Sequence, residues 1–199
     1  MIVRTKYFLT SFGIILLLVL LVSGVRFARA LTPNPETQNI KIKGPKDAPI
    51  RLVVYSDFQC PACQGAIAPI EDLRKEFGDV MQVEFRHFPL ERPHRWALTA
   101  ARFAECAAEQ DKFWEYHDRL YAEQAKWSQS EDPILLFVAY VKELGLSGEK
   151  FQACLESSKT LGRIREEHSM GEKQSVQSTP TIFINGRPLV GALQLKENG

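Results

Sequence analysis

Residues 49–88 constrain the fold of this chain most. "PIRLVVYSD" (49–57) is a β-branched, apolar run of strand length, and its continuous hydrophobicity predicts a strand buried on both faces. From Cys60 to Phe77 the apolar residues Ile67, Ile70, Leu73 and Phe77 recur at helical spacing, and Gly78 follows as a stop signal. "VMQVEFRHF" (80–88) is a second strand. Strand, helix and strand within forty residues form a βαβ unit, so the two strands are expected to lie parallel, joined by a right-handed crossover.

The rest of the chain is arranged around that unit. "NIKIK" (39–43) alternates and suits a short edge strand. Residues 93–175 are rich in helix formers, from "RWALTAARFAECAAEQDKFWEYHDRLYAEQ" to stretches around Phe151–Leu155 and Thr160–Met170. Within that block "SEDPILLFVAYVKELGLS" puts Asp132 at an N-cap, Pro133 at the first helical position and Gly145 just past the last turn. Strand chemistry returns in "TPTIFINGRPLVG". Asn185-Gly186 between two apolar runs predicts a hairpin, because a type I′ turn needs positive φ at both central residues. The sheet is therefore expected to be mixed and to be interrupted by an all-helical segment. No internal repeat and no low-complexity tract is present.

The first thirty residues read as an export signal. Arg4 and Lys6 precede an uncharged run over residues 7–25. As a helix those 19 residues would rise roughly 28 Å, close to a bilayer's hydrocarbon thickness. Positive charge ahead of such a run marks an exported chain with its N-terminus inside. "ARA" (28–30) has small residues where a signal peptidase needs them, so both cleavage after Ala30 and retention as a membrane anchor fit. Residues 31–39, "LTPNPETQN", read as a linker. The body is thus expected in an oxidising compartment, the periplasm or the outer face of the cytoplasmic membrane.

Removing the leader changes the charge balance. The overall formal charge is +1, but the leader holds Arg4, Lys6, Arg26 and Arg29 and no acid, which leaves 21 basic against 24 acidic side chains. There is no basic stripe with interleaved aromatics, so nucleic acid is not an expected partner.

Cys60 and Cys63 carry the chemistry. A zinc site needs four ligands, and neither Cys106, Cys154 nor the four histidines forms a second closely spaced pair, so no metal is expected. A permanent crosslink over two intervening residues would remove little chain entropy. A redox pair explains the spacing. At a helix N-terminus, free N–H groups and the helix dipole favour a Cys60 thiolate, and Pro61 has no N–H to leave unpaired. Cys63, one turn on, is placed to resolve a mixed disulfide. Pro180, in "STPT", cannot donate to a ladder and calls for an edge, a bulge or a special turn.

In "YSDFQCPACQ", "FRHFPL", "AARFAECAAEQDKFWEYHDRLY", "ELGLSGEKFQACL" and "STPTIFINGRPLVG" the chain resembles the DsbA-like thiol-disulfide oxidoreductases of the thioredoxin superfamily. The match runs collinearly over most of the chain after residue 40. It implies an α/β thioredoxin fold with a mixed central sheet and an inserted all-helical domain. The division is a leader (1–30), a linker (31–39), a first part with Cys-Pro-Ala-Cys (40–92), the helical insert (93–175) and a second part (176–199). The resemblance further implies a cis Thr179–Pro180 bond facing the cysteine pair, with the backbone beside it pairing to substrate. It implies a dithiol oxidase that uses its own sulfurs without a cofactor, acts on cysteine-containing exported proteins and is recycled by a membrane redox partner. A reductase or isomerase is the alternative within the class, and a soft-metal carrier using the exposed pair is the alternative outside it.

The chain departs from that pattern in places. Many relatives have a buried acid where Val54 stands, a group that moves a proton to or from the second cysteine. Ser178 stands where glycine is common. Ala62 cannot add the donor that an imidazole supplies in the most oxidising members. "ALQLKENG" offers barely two turns where relatives carry a long helix. Among the remaining candidates, Phe58 borders the cysteines and is expected to line an apolar surface for unfolded chains. Cys106 and Cys154 suit either simple burial or pairing, and the even cysteine count of an exported protein favours pairing. The resemblance suggests a structural disulfide joining two helices of the insert, with a redox relay as the other role. His87, His94, His117 and His168 are not expected to be catalytic, and Phe113, Trp114, Tyr116 and Tyr121 fall at helical spacing and read as core packing.

Overall fold

The computed structural model describes residues 40–191 and 194. The leader and linker expectations, and most of the C-terminal one, lie outside these residues. Among the described residues, no helix is long and apolar enough to cross a membrane.

Five strands form one sheet: β1 (Ile42–Lys43), β2 (Ile50–Ser56), β3 (Met81–His87), β4 (Thr181–Ile184) and β5 (Arg187–Val190), in the order β1-β3-β2-β4-β5. β2 and β3 pair in parallel, and every other pairing is antiparallel, so the sheet is mixed. β2 occupies the centre because its side chains are apolar on both faces: Leu52, Val54 and Tyr55 are all buried. The crossover between β2 and β3 is helix α1 (Pro61–Phe77). It buries Ala66 and Ile70 against Leu52, Val54, Met81, Val83 and Ile182. On the opposite face Tyr55, Phe88, Val176 and Phe183 pack together.

Six helices lie between β3 and β4: α2 (Ala97–Ala108), α3 (Phe113–Ala122), α4 (Gln124–Trp127), α5 (Ile134–Glu143), α6 (Gly148–Glu156) and α7 (Ser158–Lys173). α5 starts one residue later than its sequence suggests. Pro133 precedes the helix, and Asp132 Oδ1 accepts from the Ile134 N–H at 3.0 Å. The helices share an aromatic core with Phe103, Phe113, Tyr116, Trp127, Phe137 and Phe151, and this core continues without a break into Phe58, Phe85 and both Cys60 and Cys63. The helical block therefore supports the cysteine loop directly. α7 returns to the sheet at Gly171, where a Cβ would stand 2.7 Å from the Phe88 ring, so only glycine permits that approach. The β4–β5 hairpin turns at Asn185 and Gly186, with φ of 48° and 83°, the left-handed pair that the Asn-Gly signal predicts.

Candidate active site

Cys60 is the N-cap of α1, with extended φ and ψ of −75° and 120°, and Pro61 follows as the first helical residue. The Cys60 carbonyl accepts from the Cys63 N–H at 3.1 Å and the Gln64 N–H at 3.3 Å, which closes the first turn over the pair. Both cysteines are free thiols. Cys60 retains 7 % of its surface and Cys63 only 1 %, so Cys60 is the one an incoming sulfur can reach. The Thr179–Pro180 bond is cis, and the Thr179 carbonyl oxygen lies 3.3 Å from Cys60 Sγ. Thr179 thus meets Cys60 across 119 residues of sequence.

The two thiols are held apart in acidity. Hydrogen bonding from the Cys63 thiol, together with the N–H groups of Ala62 and Cys63, lowers Cys60 to about 5 against the opposing effect of burial. Burial pushes the Cys63 thiol well up, and the neighbouring Cys60 adds to it. The Asp57 N–H reaches Cys63 Sγ at 3.4 Å and Ser56 is also close, but these donors only partly offset the loss of solvent. At neutral pH the less deeply buried sulfur is held as a thiolate and the deeper one as a thiol.

The loop before Cys60 is fixed by residues that the sequence did not single out. Asp57 is buried; its carboxylate accepts from the Gln59 N–H at 2.7 Å and the Leu90 N–H at 2.9 Å, and pairs with His94 Nδ1 at 2.8 Å. Polar Asp at the end of a strand is a turn signal that could have marked it. Gln124, buried on α4, donates from Nε2 to the carbonyls of Phe58 at 2.8 Å and Cys60 at 2.9 Å. The Tyr121 hydroxyl bridges Ser56 Oγ at 2.7 Å and the Asp57 carbonyl at 3.3 Å. No local pattern announces Gln124 or Tyr121, because each acts on a segment more than sixty residues away.

Phe58 requires a correction. Only 1 % of it is exposed; its ring stacks on Phe85 at 5.2 Å and packs against His87, His117 and Tyr121. It cannot offer a surface to a substrate chain. It is a core residue that joins the cysteine loop to the helical block.

Away from the pair, Cys106 on α2 and Cys154 on α6 are joined by a disulfide and are both buried. Among the described residues, His87, Glu105 and Glu167 bring potential metal-ligand atoms within 4.8 Å of one another. A cation already sits there: the Lys41 ammonium pairs with both carboxylates, and Arg163 Nε binds Glu105 at 2.8 Å. Burial alone would raise the Glu105 carboxyl, but Lys41 and His87 overcome it and hold the group well below the usual range. The cluster is a buried ion-pair network tying β3 and the residue before β1 to α2 and α7.

The thioredoxin family model matches residues 36–198. The chain belongs to the thioredoxin family. Its fold is that of the DsbA-like proteins. Alpha-DsbA1 of Wolbachia pipientis superposes with a TM-score of 0.66 at 24 % identity, covering 85 % of this chain and 90 % of that one. Oxidised BdbD of Bacillus subtilis gives 0.68 at 22 %, covering 83 % and 92 %. Curated relatives include the Na(+)/H(+) antiporter NhaA 1 of Mycolicibacterium vanbaalenii, 36 % identical over 167 residues, which are 82 % of this chain and 25 % of the relative. The protein of the same name from Mycobacterium sp. (strain KMS) is 37 % identical over 168 residues, with shares of 82 % and 26 %. The chain spans about a quarter of the length of these relatives. Within that family fold, Cys60 and Cys63 stand at the start of α1.

Two outcomes test this geometry. Because the Cys63 thiol is the main support of the Cys60 thiolate, Cys63→Ala should raise the Cys60 pKa, while Cys63→Ser, which keeps a donor, should raise it less. Thiolate absorbance against pH measures both, and identical midpoints in the two variants would reject that support. Gln124→Leu removes the donor to the Phe58 carbonyl, while the Cys60 carbonyl keeps its two N–H partners. The variant should lose about 1–2 kcal/mol in urea unfolding, and no measurable loss would show that Gln124 does not anchor the loop.

Proposed function

We propose that this protein is a thiol-disulfide oxidoreductase that works outside the cytoplasm and oxidises cysteine pairs of exported proteins as they fold. A substrate thiolate attacks Cys60 sulfur of the oxidised pair, Cys63 leaves, and the substrate's second thiolate then displaces Cys60. The substrate gains a disulfide and the enzyme's pair is reduced, to be reoxidised by a membrane redox partner. Cys60, Cys63, Pro180 and the Thr179 backbone form the site.

The observation that carries this reading is the low pKa of Cys60. A stabilised thiolate favours the reduced pair, so its disulfide gives up oxidising equivalents readily. The extracytoplasmic location is supported by the charged, then apolar, leader. Equilibration with glutathione tests the direction. An oxidase should give a potential well above the roughly −270 mV of a reducing thioredoxin. A value at or below that figure would turn the chain into a reductase.

A further inference from the structure

A cavity of about 30 Å³ lies behind the cysteine pair, and Cys63, Ser56, Val54 and His117 all line it. That is room for one or two water molecules. Cys63 has a problem that this cavity solves. To resolve a mixed disulfide it must lose a proton, and to act as leaving group it must gain one, yet it is 1 % exposed. No carboxylate lines the cavity beside it on β2, because that position is Val54. We infer that His117, acting through cavity water, carries the proton to and from Cys63.

The surroundings of His117 suit the task. Its Nδ1 lies 2.7 Å from Asp118 Oδ1, and since a carboxylate only accepts, Nδ1 carries the hydrogen and Nε2 is left to take a proton. The Asp118 side chain is 58 % exposed while that of His117 is 6 % exposed, so the pair links a buried space to solvent. Phe58, Phe85, Phe113 and Trp114 surround the ring with apolar surface, and Tyr121 packs edge-on at 4.9 Å. From β1 and α1, Lys43 and Glu71 face it as an ion pair 3.3 Å apart, so their charges work against each other; Arg74 also lines the cavity. Burial lowers the pKa of the imidazole in spite of Asp118, so it rests neutral, with Nε2 unprotonated, and holds a proton only in passing.

This inference rests on the exchange chemistry proposed above. In resolution, the Cys63 thiol passes its proton through water to His117 Nε2. The Cys63 thiolate attacks Cys60 sulfur; the Cys60–Cys63 bond forms and the bond from Cys60 to the substrate sulfur breaks. The substrate leaves as a thiolate, and the imidazolium, paired with Asp118, returns its proton to solvent. When the oxidised pair is attacked, the same path runs backwards and protonates the departing Cys63 thiolate.

The test mixes reduced full-length protein with a fluorescent peptide disulfide. A second-order phase reports attack by Cys60, and a first-order phase reports resolution by Cys63. His117→Phe keeps a ring among rings. At pH 7 it should slow the first-order phase about 100-fold, the low end for a positioned acid or base, and leave the second-order phase within about threefold. The first-order rate should climb with pH towards the wild-type value as hydroxide replaces the relay. Asp118→Asn, at a half-exposed position, should slow the same phase several-fold and decides the matter if His117→Phe does not fold. An unchanged first-order phase, or equal loss in both phases at every pH, overturns the relay. A wild-type protein that shows neither phase overturns the exchange reading itself, and the relay with it.

Discussion

Between pH 7 and pH 4 the reduced protein should lose about 2 kcal/mol of stability that the oxidised protein keeps. The cause is Cys60. Its folded-state pKa is depressed to about 5 from an ordinary value of 9.0. The stabilisation from its thiolate is therefore complete only above the unfolded value, shrinks as the pH falls, and is gone below about 5. Two pH units separate neutrality from the folded pKa, which sets about 2.7 kcal/mol as the ceiling before screening by solvent at a partly open group. Cys63 is pushed the other way and stays protonated through this window, so it contributes no slope there. In the oxidised protein neither sulfur titrates, while all other groups are shared, so the difference between the two forms isolates the pair. Urea unfolding of both forms at pH 7 and pH 4 measures it. Equal losses in the two forms would remove the stabilised thiolate, and with it the argument for an oxidising disulfide. The same 2 kcal/mol corresponds to roughly 40 mV in the reduction potential of the pair.

What could be read from the sequence was what is local. The run from Ile50 to Ser56, the helix that starts beside Cys60, the second strand and the Asn185-Gly186 turn all follow from spacing and backbone preference within a few residues. Long-range placement was less legible. "NIKIK" alternates, which suits an edge strand but does not say what its lysines meet. Lys41 is buried, because Glu105 and Glu167 meet its ammonium from 64 and 126 residues away. Phe58 shows the same limit at the site. Standing two residues before Cys60 says nothing about which way a ring turns, and here the aromatic core of the helical block takes it in. His117 read as a histidine without a catalytic role in an aromatic helix. Its neighbours are indeed rings, and only the fold brings the cavity beside Cys63 to the same side chain.

Replacing both Cys106 and Cys154 with alanine should lower the melting temperature by about 8–16 °C. The two residues are 48 apart in sequence, so their disulfide closes a loop of nearly fifty residues in the unfolded chain. The chain-entropy estimate for such a loop is about 4 kcal/mol. For a domain of this size each kcal/mol moves the midpoint by about 2–4 °C. The bridge joins α2 to α6 inside the aromatic core, where Phe103 packs on both Phe137 and Phe151, so the native geometry around it is already set by packing. Loss of the sulfurs adds to the effect, because both cysteines are buried and alanine fills less space. The chemistry should survive. Cys60 takes its support from Cys63 and the start of α1, and neither bridge cysteine is among the groups that shift it. Assayed well below its midpoint, the double variant should still oxidise a dithiol peptide. A melting temperature within about 2 °C of the parent would mean that the unfolded chain is already compact across this loop and gains little freedom when the bridge is cut. In the parent protein, a mixed disulfide trapped between Cys60 and either bridge cysteine would instead assign the second pair a part in electron transfer.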